Sequence, residues 1–188
     1  MLRSTTVLLL LAISATAAAE DRLNYTFLQA TYGQIDFKDL DVNGDAFGLG
    51  GSMAIADQFH LFADYSKASL DFDIDADLFD AGVGFNTPIS DNIDVIAQLA
   101  YVYSSVSAPG FSSVDDNGFG LGVGLRALVS PQVELNGSVQ YVDMSDGGNN
   151  TSLGAGFLFH INEMFAVGVG GNWDDDTSSY AIGGRLKF

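Results

Sequence analysis

Side-chain chemistry in this chain would have to come from two histidines, a few cations and many carboxylates. The 188 residues include His60 and His160, 7 Lys plus Arg, 24 Asp plus Glu, and no cysteine. Thiol nucleophiles, disulfides and Cys-ligated zinc are excluded at once. Each histidine sits inside an alternating run, Phe59-His60-Leu61 and Phe159-His160-Ile161. Period-two alternation puts both rings on the face opposite the apolar one, a residue or two from a turn. No Asp or Ser is spaced to meet either ring, so no triad is legible. Both read as hydrogen-bonded interior residues, and the chain reads as a non-enzyme.

Arg126 and Glu134 carry more information, because they flank the turn residue Pro131. A hairpin centred between residues 130 and 131 brings positions summing near 261 opposite each other, and both residues share a face. A cross-strand ion pair is expected, either plugging a narrow bore or lining a pore. Asp64, Asp80, Asp94 and Arg185 fall on the same face. That face is mildly acidic and would favour cations if anything passes.

Fifteen of the 24 acids lie elsewhere, in or beside Asp/Ser/Gly-rich segments at 37–45, 68–76, 105–116, 143–150 and 174–179. The first of these holds Asp39, Asp41, Asn43, Gly44 and Asp45, the D-x-D-x-N-G opening of a calcium loop. Its twelfth position is Gly50 where a bidentate Glu belongs, and no helix flanks it, so an EF-hand is rejected. Two readings stay open: an Asn-Gly turn in a solvated acidic loop, or weak Ca²⁺ or Mg²⁺ binding by Asp39, Asp41, Asn43 and Asp45. No other cofactor is expected. A net charge of −17 excludes nucleic acid as a partner.

The elements that position these residues are strands. Ile93, Val95, Ala97, Leu99, Tyr101 and Tyr103 line one side of a run. Phe119, Leu121, Val123, Leu125, Ala127 and Val129 face away from Gly120, Gly122, Gly124 and Arg126. The same period recurs over 24–36, 47–55, 58–67, 79–86, 133–142, 151–161, 165–173 and 180–188, giving ten strands, with eight as the alternative. Short turns near Asp57, Pro88–Asn92, Pro131 and Asn162–Glu163 alternate with the longer acidic segments. One face carries Gly, Ser, Ala and Asn, too small and uncharged for a solvated surface but suited to a narrow interior. The apolar face is sorted by height. Tyr32, Phe47, Tyr65, Phe79 and Tyr101 mark its loop end, and Phe59, Phe85, Phe159 and Phe165 its turn end. Two aromatic girdles around an aliphatic band are the pattern of a transmembrane antiparallel up-and-down β-barrel.

Residues 1–19 read differently, as an export signal. Arg3 precedes an apolar stretch from Val7 to Ile13 and then Ala17-Ala18-Ala19. The predicted cleavage follows Ala19, leaving 20–188 as the barrel domain.

The C-terminal strand ends Tyr180-Ala-Ile-Gly-Gly-Arg-Leu-Lys-Phe188. Gly183, Leu186 and Phe188 resemble the signal read by the outer-membrane assembly machinery, with Ala181 where a polar residue is usual. With Gly-rich strands such as 118–124, the chain resembles the small outer-membrane β-barrel superfamily of opacity and attachment–invasion proteins. The resemblance implies an integral place in a Gram-negative outer membrane, with the lipid bilayer and lipopolysaccharide as surroundings. It implies no reaction, since such proteins serve as structural proteins, adhesins or narrow pores. The function expected here is a structural or surface-interaction role with acidic external loops. The alternative is a narrow, weakly cation-selective pore.

Overall fold

The computed structural model describes residues 23–38 and 42–188. Residues 1–19, with the expected cleavage site, and Asp39 and Asp41 lie outside the described residues. Ten strands follow one another: β1 (Phe27–Phe37), β2 (Val42–Ala56), β3 (Phe59–Leu70), β4 (Ile74–Ser90), β5 (Ile93–Ser107), β6 (Val114–Ser130), β7 (Val133–Met144), β8 (Gly148–His160), β9 (Phe165–Trp173) and β10 (Thr177–Lys187). Each pairs antiparallel with its sequence neighbours, and β1 pairs with β10 from Phe27↔Lys187 to Phe37↔Thr177. Closure leaves no unpaired edge, which is what backbone N–H and C=O groups require inside a hydrocarbon layer. Ten strands is the count, not eight.

Outward residues are the alternating apolar set. Leu28, Leu49, Leu99, Val123 and Ile182 are exposed, as are Tyr32, Phe47, Tyr101, Phe119 and Tyr180 toward one rim and Phe59, Phe159 and Phe165 toward the other.

The strands run further than composition suggested. Segments 37–45, 68–76 and 143–150 were expected as loops, yet β2 begins at Val42, β4 at Ile74 and β8 at Gly148. Only Asp71–Asp73 separates β3 from β4. Asp and Ser discourage strands through side-chain competition and Gly through backbone entropy, but ladder bonds are backbone bonds. Once a hairpin is zipped, as at Ser69↔Asp75 and Leu70↔Ile74, polar residues continue it. Asn43 and Asp45 accordingly stand on the outward face of β2, not in a loop.

At the short-turn rim, irregularities fall between Ala54 and Ala56, Pro88 and Ser90, and Leu128 and Ser130. Bulges are common at barrel rims, and the one after Pro88 leaves Ile89 as the extra residue, next to a proline that cannot donate to the ladder. The Leu128/Ser130 bulge corrects one expectation. Arg126 stands opposite Asn136, and Glu134 opposite Leu128. The extra residue shifts the register, so Arg126 and Glu134 are diagonal neighbours.

Candidate functional site

The interior is layered, and β1 shows the order. From the short-turn end upward its inward residues are Phe27, Gln29, Thr31, Gly33, Ile35 and Phe37. They pass from a charged floor, through small polar residues, to an apolar top.

The floor is built around Glu134. Arg126 Nε donates to Glu134 Oε1 at 2.9 Å, and Arg126 Nη2 pairs with the same oxygen. The other oxygen faces His160 Nε2 at 3.1 Å, while Lys187 Nζ lies 2.9 Å from His160 Nδ1. Arg185 Nη1 is 4.0 Å from Glu134 Oε1, and Arg185 Nη2 donates to Gln29 Oε1 at 2.9 Å. The Arg185 guanidinium also sits 4.3 Å from the Phe27 ring centroid. Arg126 and Glu134 are each 1% exposed, so neither charge reaches bulk water. A two-residue offset on adjacent strands is within reach of an arginine, which is why the diagonal register still gives the pair.

Tyr25 completes the floor from outside the strand sequence. Leu23 and Tyr25, ahead of β1, are buried, and Ser52 Oγ donates to the Tyr25 carbonyl at 2.8 Å. The Tyr25 ring stacks on His60 at 4.4 Å between centroids, with Arg126 5.7 Å from its own centroid. Its hydroxyl donates to Asp94 Oδ2 at 3.3 Å. His60, fully buried, also lies 3.3 Å from Asn86 Oδ1. Both histidines are thus hydrogen-bonded interior residues. Their partners are Asn86, Glu134 and Lys187, with no serine among the contacts recorded for the described residues.

The top layer is apolar. Ile35, Phe37, Ala46, Ala68, Ala76, Leu78, Val102, Val142 and Met144 form one buried cluster, with Val102 wholly inaccessible. Sequence reasoning missed this belt. Its members occupy the inward phase near the long-loop ends, where runs such as Ile35-x-Phe37 and Val142-x-Met144 interrupt the small polar pattern. Between belt and floor lies a small polar layer containing Gln29, Thr31, Asp64, Ser66 and Asp80.

The remaining expected residues are dispersed. Asn43 N–H donates to Asp71 Oδ2 at 3.2 Å, and Asp45 bonds the Tyr32 hydroxyl. Among the described residues, no three of His, Cys, Asp or Glu are grouped to hold a metal. Gly183 turns inward on β10, while Leu186 and Phe188 turn outward. Phe188 N–H donates to the Thr26 carbonyl at 3.1 Å, and the Phe188 carbonyl accepts from Asn24 Nδ2 at 2.9 Å.

The family profile described as "Outer membrane protein beta-barrel domain" matches residues 5–160. The chain belongs to that family. An outer-membrane location and association with the lipid bilayer follow, so the short turns, the start of β1 and the end of β10 face the periplasm. A comparison with curated proteins finds no significant match. Among solved structures, the barrel is similar to an outer membrane channel from Pseudomonas putida F1, at 9% identity, 87% of this chain, 96% of that chain and a TM-score of 0.56. It is also similar to the translocator domain of the autotransporter NalP from Neisseria meningitidis, at 11% identity, 86% of this chain, 88% of that one and a TM-score of 0.50. At these identities the likeness concerns the fold alone.

Proposed function

We propose that this outer-membrane barrel is a non-enzymatic, non-conducting protein that anchors and displays its external loops. The occluded interior carries the reading. An apolar belt closed over Val102 and Val142 sits above a floor closed by Arg126, Glu134, His60 and Tyr25. Hydrated ions cannot cross a dewetted apolar constriction cheaply. An uptake assay tests it: liposomes carrying the barrel should retain small sugars and ions as well as protein-free liposomes do. Measurable sugar-dependent swelling would favour the pore instead.

The external rim supports the display half. Phe72 and Phe111 are 77% and 81% exposed at neighbouring hairpin tips, among Asp71, Asp73, Asp115 and Asp116. Phe72 holds φ +64° and Asp73 φ +57°, left-handed conformations that a bulky side chain rarely adopts. Strain that presents an aromatic outward fits a contact surface. Weak Ca²⁺ or Mg²⁺ association with the acidic rim, near bridged lipopolysaccharide phosphates, belongs to the same proposal, as does cleavage after Ala19.

Gly183, Leu186 and Phe188 are proposed as the assembly signal. Deleting Phe188 removes an outward aromatic and the bonds that seal β10 to Thr26 and Asn24. Outer-membrane levels, measured by fractionation and blotting, should fall, with degradation or periplasmic accumulation. Unchanged levels would count against the signal.

A further inference from the structure

Beneath the apolar belt, the inward charges of the described strands do not balance. Asp64, Asp80, Asp94 and Glu134 face in, against Arg126, Arg185 and Lys187. Four carboxylates meet three cations, and one unit of negative charge is left over. Glu134 is held by Arg126, and Asp94 accepts from Tyr25. Asp64 accepts from Gln29 Nε2 at 3.4 Å and feels Arg185. Asp80 is 5% exposed, with no hydrogen bond or ion pair recorded among the described residues.

Asp80 is the direct cross-strand partner of Asp64. That pairing sets their Cβ atoms about 5 Å apart on one face. Both side chains line a polar cavity of about 10 Å³ together with Thr31 and Ser66, room for about one water-sized body. Gly48 and Gly50 make the room. A Cβ on Gly50 would strike the Asp64 carboxylate, and one on Gly48 would come within 2.6 Å of Thr31 Oγ1. Two carboxylates and two hydroxyls around a body of that size are an all-oxygen donor set, the kind hard cations take. An unpaired buried carboxylate is costly unless an opposite charge joins it.

We propose that Asp64 and Asp80, with Thr31 and Ser66, hold one hard cation inside the barrel. A monovalent ion such as Na⁺ matches the single unit of excess charge. The site is structural: it lies beneath the apolar belt, so the ion enters as the barrel closes. It is separate from the diffuse acidic rim.

The test is refolding of the purified chain from urea into detergent. It is run in choline chloride with chelator, then at matched ionic strength with NaCl, and with millimolar CaCl₂ as a second arm. The wild type should show a saturable rise in the folding midpoint with Na⁺, because a ligand that binds only the folded state stabilises it by mass action. Asp80→Asn should lose that rise and fold in choline at least as well as the wild type. Asp64→Asn and the cavity-filling Gly50→Ala should lose it too, which keeps the test decisive if one variant misfolds. A Ca²⁺ response with the same variant dependence, and none to Na⁺, would still place a cation in this site. A response that survives Asp80→Asn and disappears with Asp174→Asn/Asp175→Asn would assign it to the rim and overturn the proposal. A midpoint insensitive to either metal but raised by lowering pH would overturn it as well, since a shared proton would then balance the pair.

Discussion

Replacing Glu134 with alanine is expected to destabilise the barrel by about 3–5 kcal/mol, the range seen when one partner of a buried ion pair is removed. Glu134 binds Arg126 through one oxygen and His160 through the other, with Arg185 4.0 Å away. Its loss leaves Arg126, 1% exposed, without its counter-charge in the floor. Glu134→Gln keeps the volume and removes the charge, so most of the loss should remain. Urea midpoints of the folded protein in detergent read the effect directly. A loss of only about 1 kcal/mol, typical of a solvated surface pair, would mean that water reaches the floor. The liposomes should stay sealed in either variant, because the belt from Ile35 to Met144 lies above the lesion.

Arginine at Val123 should cost about 2–4 kcal/mol in a bilayer, the range for a cation on the lipid face near the midplane. Val123 is 59% exposed, halfway along β6. Its cross-strand partners, Ala97 and Val139, offer no counter-charge. The neighbouring Gly122 points the other way, and a Cβ there would lie 3.6 Å from Gln98 and Gln140. Arginine at that position should fail by crowding in the interior. Spin labels separate the two faces more cleanly than stability does. A label at 123 should relax in dissolved oxygen as lipid-exposed sites do, and a label at 122 should not. Equal oxygen accessibility at both positions would contradict the assigned phase.

The strands were legible because the period of two is enforced by two solvents. Ile93 to Tyr103 must meet lipid on one side, while Asp94 to Val102 must pack inside on the other, and each position shows that choice in its residue type. Strand ends were not legible. Ser69, Asp75 and Asn149 lie above the apolar band, where water accepts any side chain and only the backbone ladder records the strand. The partnership of Arg126 and Glu134 was readable from parity, but its register was not, because parity is blind to the bulge at Leu128/Ser130. Tyr25 escaped for a related reason. The period over 24–36 ran through it, but β1 begins only at Phe27, and parity does not show that the ring ahead of the strand stacks on His60. The apolar belt was in the sequence all along. Ile35, Phe37, Leu78, Val102, Val142 and Met144 are apolar on the inward phase, yet next to outward aromatics such as Tyr103 and Tyr141 they pass for ordinary strand composition.

The claim that the lumen is closed is tested most directly by single-channel recording in planar bilayers. Wild-type barrel, shown to be folded and inserted, should give no resolved current steps at either polarity in concentrated KCl. Reproducible, voltage-independent steps from the wild type would contradict it, because ions would then be passing both the floor at Glu134 and the belt at Val102.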